Sequence, residues 1–138
     1  MPKEVSKRTL LKFRGHMALK EQLIKAGGMI SLQDAAEILG VTSTIVRKLV
    51  EQKSILAVSL GGYLQFPVWQ FSETGIVEGF SNILSNLKNT TEISAVQFFL
   101  MYDEDLKMSP IEALTSGNNS KIDLVHLLAQ QWQQQTAR

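Results

Sequence analysis

The sequence predicts a mainly α fold, in which two helices joined by a tight turn lead into a two-stranded hairpin and then a small helical bundle. Three observations predict it. Apolar residues recur at helical spacing over most of the 138 residues. Two short runs with β-branched or aromatic members, Ile55–Leu60 and Tyr63–Phe66, flank Gly61-Gly62. Capping residues stand where helices should begin, at Ser31, Thr42 and Ser109.

The elements follow in order. Residues 1–8 read as a basic tail. From Thr9 to Ala26 the apolar positions Leu10, Phe13, Met17, Leu19, Leu23 and Ile24 approximate one helical face, and Gly27-Gly28 ends it. Ser31 reads as an N-cap that Asp34 can answer three residues on, opening a helix over Leu32–Leu39 that stops at Gly40. Thr42 caps a second helix, from Ser43 to about Lys53. The glycine pair suits a tight hairpin turn, because both central residues of such a turn need positive φ. Pro67 ends the second run.

After Ser72 the pattern becomes helical again, with Ile76, Val77, Phe80, Ile83, Leu84 and Leu87 in one stripe. The polar break Asn89-Thr90-Thr91 precedes a helix from about Ile93 to Met101. A loop, Tyr102 to Met108, leads to Ser109-Pro110, where proline takes its favoured first helical position. Gly117-Asn118-Asn119 is a turn. A last helix, from about Lys121 to Gln134, carries Ile122, Val125, Leu128 and Trp132 on one face. These elements divide into residues 1–72 and a helical unit over residues 73–138.

Composition narrows the function classes. Hydrophobic residues make up 44% and charged residues 20%, a globular balance that argues against global disorder. There is no cysteine, which excludes disulfides, thiolate metal sites and a cysteine nucleophile. Met1 to Arg14 lacks the apolar stretch of a signal peptide, and no apolar run approaches the ~20 residues of a membrane span. A cytoplasmic protein is the expectation.

The net charge of +1 hides an asymmetry. Residues 1–53 hold ten Lys/Arg against five Asp/Glu; residues 54–138 hold four against eight. The basic front half suits an anionic partner such as duplex DNA, and the acidic rear half does not.

Chemistry concentrates in Ser31 to Phe66. Ala35 and Ala36 are small enough for a second helix to cross close to the first. Gly40 permits the sharp turn, Val41 plugs the angle, and Ile45 and Leu49 are expected to anchor the second helix. That leaves Ser43, Thr44, Arg47 and Lys48 facing outward. Short hydroxyls and cations near a helix N-terminus suit base edges and phosphates. Lys3, Lys7, Arg8, Lys12 and Arg14 could add phosphate contacts that raise affinity without reading sequence.

The stretch SLQDAAEILGVTSTIVRKLVEQKSILAVSLGGYLQFP resembles the MerR/excisionase-type winged helix-turn-helix. It carries the small-residue pair of the first helix, the LGVT turn, the VRKLV recognition helix and a hairpin wing. The resemblance implies that Thr42, Ser43, Thr44, Arg47 and Lys48 face DNA and that Gly61, Gly62 and Tyr63 form the wing tip. The tip departs from the family in having no Lys or Arg.

In the rear half, AVQFFLMYDEDLKMSPIEALTSGNNSKIDLVHLLAQ resembles the toxin-binding domain of Xre/MbcA/ParS-type antitoxins, with Phe98 and Phe99 in an aromatic helix, Ser109, Pro110 and Leu114 in the SP…L segment and Gly117 in the turn. Lys107-Met108 replace the usual glycine pair. This resemblance implies a protein partner, a toxin, met by Ser109, Pro110, Trp132 and Arg138.

No catalytic constellation is present. His16 and His126 are far apart, and Asp123 and His126 lack further ligands for a metal site. Asp103, Glu104 and Asp105 lack the calcium-loop spacing. No phosphate-binding glycine loop and no nucleophile elbow occurs. The expectation is a non-enzymatic, cofactor-free regulator: a homodimeric, sequence-specific DNA-binding protein of antitoxin-like autorepressor type. The alternatives are a protein-interaction adaptor that does not read DNA and an excisionase-like architectural factor that bends it.

Overall fold

The computed structural model describes Glu21, residues 23–87 and residues 90–136, with side chains as far as Trp132. The elements are β1 (Met29–Ser31), α1 (Leu32–Leu39), α2 (Ser43–Glu51), β2 (Val58–Leu60), β3 (Tyr63–Pro67), a 3-10 turn (Val68–Gln70), β4 (Phe71–Ser72), β5 (Gly75–Ile76), α3 (Phe80–Asn86), α4 (Glu92–Leu100), α5 (Pro110–Ser116) and α6 (Asn119–Thr136).

The mainly α expectation is corrected. The molecule is mixed α/β, with a three-stranded antiparallel sheet ordered β1-β3-β2 and a second, two-stranded sheet β4-β5. The hairpin β2–β3 forms where expected, with Gly61 at φ 63 and Gly62 at φ 86 in its turn. What the sequence reading lacked is β1. It pairs with the free edge of β3, Ile30 opposite Phe66 and Ser31 opposite Gln65, so β3 is the central strand of a three-stranded sheet and the hairpin is not a lone wing. A two-stranded hairpin is marginal in water, and the third strand removes that weakness.

The chain was expected to turn helical after Ser72; instead residues 71–76 fold back as β4–β5. The Ser72 hydroxyl organises that turn: it donates to the Gly75 carbonyl at 3.3 Å and accepts from the Thr74 N–H at 3.3 Å. The helix therefore starts later, at Phe80, and of the apolar stripe only Phe80, Ile83 and Leu84 lie within it.

The run Ile55–Leu60 explains how the halves are joined. Side chains of an extended chain alternate between faces. Ile55 and Ala57 enter a front core with Ala35, Ala36, Val46 and Phe66. Leu56, Val58 and Leu60 enter a rear core with Phe80, Ile83, Val96, Phe99 and Val125. A segment buried on both sides reads as an unbroken apolar run, as Ile55–Val58 does before the exposed Ser59. Leu23, in the short helical stretch before Gly27, is also fully buried in the rear core. No helix among the described residues is long and apolar enough to cross a membrane.

Candidate nucleic-acid interface

Two local devices set α1 against α2. Ser31 caps α1 by accepting the Asp34 N–H at 3.1 Å, and Thr42 caps α2 by accepting the Ile45 N–H at 3.3 Å. Gly40 ends α1 in the left-handed region, φ 68 and ψ 33, where its N–H reaches the Ala36 and Glu37 carbonyls. Such a conformation costs a side-chain-bearing residue ~1 kcal/mol, so glycine at this corner turns the chain with little strain.

The anchoring of α2 differs from the sequence expectation. Val46 is fully buried, whereas Ile45 is 42% exposed; Leu49 is half-buried. The reason is helical register. Val46, Leu49 and Val50, at three- and four-residue spacing, form the apolar seam packed on the front core. Ile45 sits one residue, about 100°, off that seam. Burial of Val46 contributes about 2 kcal/mol, against about 1 kcal/mol for the Thr42 cap, so packing sets the rotation of α2 and the cap sets its start.

With that rotation, Thr44, Arg47 and Lys48 are exposed on the outward face and Ser43 is half-buried. Among the described residues no salt bridge engages Arg47 or Lys48. Thr42 is exposed; its hydroxyl oxygen accepts the cap bond, which leaves its O–H able to donate outward. Gly61, Gly62 and Tyr63 are all exposed at the hairpin tip, Tyr63 to 76%.

A cleft of about 530 Å³ brings part of this set together. Arg47 lines it from α2, Gly62 and Tyr63 from the hairpin, and Ser31 and Gln33 from the start of α1. Thr42, Ser43, Thr44, Lys48 and Gly61 are not part of that lining. Gln33 and Gln65, the latter also lining the cleft, were not singled out from the sequence. Gln33 is exposed, and a glutamine amide is the bidentate partner of an adenine edge. Its position two residues after the Ser31 cap, in the first turn of α1, was the available signal.

The rear-half residues are placed differently. Ser109 is 5% exposed and serves a capping box: its hydroxyl donates to Glu112 Oε1 at 2.9 Å and accepts the Glu112 N–H at 3.3 Å, while its own N–H donates to the same carboxylate at 3.1 Å. Its polar atoms are thus engaged within the fold. Pro110 is buried at the first position of α5. Trp132 is half-buried on α6, its indole N–H donating to Ser94 Oγ at 3.2 Å. Arg138 lies outside the described residues, as do Lys3, Lys7, Arg8, Lys12, Arg14 and His16. Among the described residues no cluster of His, Asp and Glu has the makings of a metal site. Asp103 instead orders its own loop by accepting the N–H groups of Asp105 and Leu106.

No protein-family profile matches the chain, and no curated protein is similar to it. Among solved structures, the NMR structure of Rv2175c is similar, with a TM-score of 0.60, 17% sequence identity, and coverage of 78% of this chain and 80% of that one. A likeness at that identity is a likeness of fold.

Proposed function

We propose that the chain is a sequence-reading regulator that binds duplex DNA through α2 and the adjoining hairpin tip. The observation that carries this reading is the outward face of α2: Thr44 and two cations exposed beside the half-buried Ser43, with neither cation in a salt bridge among the described residues. Arg47 and Lys48 supply phosphate or guanine contacts, Ser43 and Thr44 supply short hydrogen bonds, and Gln33 and Arg47 flank one cleft from which both could reach a groove edge. The N–H groups of the first turn of a helix lack intrahelical partners and favour a phosphate. The exposed Tyr63 provides an aromatic and hydroxyl contact at a tip that has no cation. Acting as a dimer, the chain would present two such helices to paired half-sites.

Within this reading the rear half holds a protein partner, and the finer assignment is an antitoxin-like autorepressor. It is supported by the resemblance over residues 95–130 and by the acidic balance of the rear half.

Fluorescence anisotropy on the DNA upstream of the chain's own coding sequence and on a scrambled duplex tests the DNA reading. Specific binding should exceed binding to the scramble by about a thousandfold or more near physiological salt. Equal, weak binding to both duplexes would leave only charge attraction and contradict sequence reading.

A further inference from the structure

In the rear half, α4, α5 and the loop between them meet α6 around a cleft of about 190 Å³. Its apolar lining comes from Phe98, Met101, Tyr102, Pro110, Leu128 and Trp132. The floor is held in place: the rings of Phe98 and Trp132 pack edge to face at 5.7 Å, and the Trp132 indole is fixed by its bond to Ser94. At the rim, Met101 is 51% and Tyr102 63% exposed. Methionine and aromatic side chains are the residues that interfaces favour, and here they stand together beside a concavity.

The charge beside the cleft is predominantly acidic, with Asp103, Glu104 and Asp105 set against Lys107 on one turn. Asp103 is the charged residue in its lining, and Glu104 and Asp105, both exposed, follow on the same turn. That turn is ordered. The Asp103 N–H donates to the Met108 carbonyl at 3.0 Å, the Lys107 N–H donates to the Asp103 carbonyl at 2.7 Å, and the Asp103 carboxylate accepts from Asp105 and Leu106. Lys107 holds a positive φ of 60 to close it. The acidic rim is thus presented on a fixed frame, which lowers the ordering cost of recognition.

We propose that this cleft docks a segment of a partner protein that offers one phenylalanine or leucine side chain flanked by lysine or arginine. The apolar side chain enters against Phe98 and Trp132, and the cations face Glu104 and Asp105. Apolar burial supplies most of the affinity, and the charges supply selectivity and association rate. The proposal rests on the reading of the rear half as the unit that holds a protein partner and names the chemistry of that partner; it concerns a different surface from the one proposed for DNA.

The test uses the full chain and a fluorescein-labelled peptide of glycine and serine with a central phenylalanine flanked on each side by two lysines. Binding by anisotropy is expected with a Kd below about 100 μM, an affinity ordinary for a short anchored peptide. Met101→Ser/Tyr102→Ser should weaken it about tenfold, and Glu104→Lys/Asp105→Lys by a similar factor. The charge-reversed variant should regain affinity for a matching peptide with glutamates in place of lysines. All four positions are exposed, so the variants should keep the wild-type melting temperature. Absence of binding up to about 1 mM, or binding indifferent to both variants, would overturn the proposal. So would self-association that shuts out the peptide and is lost in the Met101/Tyr102 variant, which would assign the cleft to a second copy of the chain. Intact DNA binding alongside a failed peptide test would sink this inference alone, and the reverse pattern would sink only the DNA reading.

Discussion

Reversing both cations of α2, in Arg47→Glu/Lys48→Glu, is expected to lower affinity for the specific duplex by about a hundredfold or more at low salt. Each phosphate contact releases condensed counterions, so losing two should flatten the dependence of log K on log salt by about two. The new carboxylates add repulsion from the phosphate backbone. Both residues are exposed and outside any salt bridge among the described residues, so stability should change by less than about 0.5 kcal/mol. Affinity and melting temperature measured on the same preparation separate the two effects. Wild-type affinity in the variant would remove α2 from the interface, whereas a collapsed melting temperature would assign the cations a structural role.

The second large effect is expected far from the proposed interface, at Gln70. This side chain is fully buried, and its three hydrogen bonds all go to backbone. Its Oε1 accepts the Leu56 N–H at 2.8 Å, and its Nε2 donates to the Leu56 carbonyl at 2.7 Å and to the Pro67 carbonyl at 3.1 Å. Its own carbonyl accepts the Val77 N–H at 2.8 Å. Gln70 therefore substitutes for a missing strand neighbour beside Leu56. It ties the approach to β2 to the turn that leaves β3, at the level where the front and rear cores meet.

Gln70→Leu keeps the volume and removes the amide. It leaves one buried N–H and two buried carbonyls short of a partner, each worth about 1–3 kcal/mol when orphaned. Shared bonding and local adjustment discount that sum, and the expected loss is about 3 kcal/mol. For a chain of this length such a loss lowers the melting temperature by about 10 °C. Urea unfolding followed by circular dichroism measures it. A loss under about 1 kcal/mol would mean that the amide is replaced by water and is not a structural tie.

These two sites differ in how far the sequence disclosed them. The face of α2 was legible because its determinants are local. Thr42 caps, Gly40 turns, and the cations follow within one and a half turns. The hairpin was legible for the same reason, since Gly61-Gly62 carries the whole turn geometry. Gln70 was not legible: it bonds to Leu56 fourteen residues away, and nothing in its sequence neighbourhood distinguishes it from a surface glutamine. β1 was missed because three residues, Met29 to Ser31, carry no periodicity of their own. They become a strand only because β3 has an edge to pair. That edge is also why the fold is mixed α/β and not mainly α.

The choice between Ile45 and Val46 as the anchor of α2 was a matter of register. Both are β-branched and apolar, and the sequence offers two seams one residue apart. Packing against Ala35, Ala36 and Phe66 selects the one containing Val46. The rear half repeats the lesson. Ser109-Pro110 correctly marked the start of a helix, and the capping box that makes it a start also consumes the serine that the family resemblance had assigned to a partner. The apolar cleft beside it is assembled from α4, α5 and α6, so no single stretch of sequence announces it.

The central claim is that α2 and the hairpin tip face DNA. Amide chemical-shift mapping on titration with the duplex upstream of the coding sequence tests it most directly. The account predicts the largest shifts at Ser43, Thr44, Arg47 and Lys48, with a second group at Gly62 and Tyr63, and little change along α5 and α6. Shifts concentrated in the rear half, or none at a DNA concentration that saturates anisotropy, would contradict it.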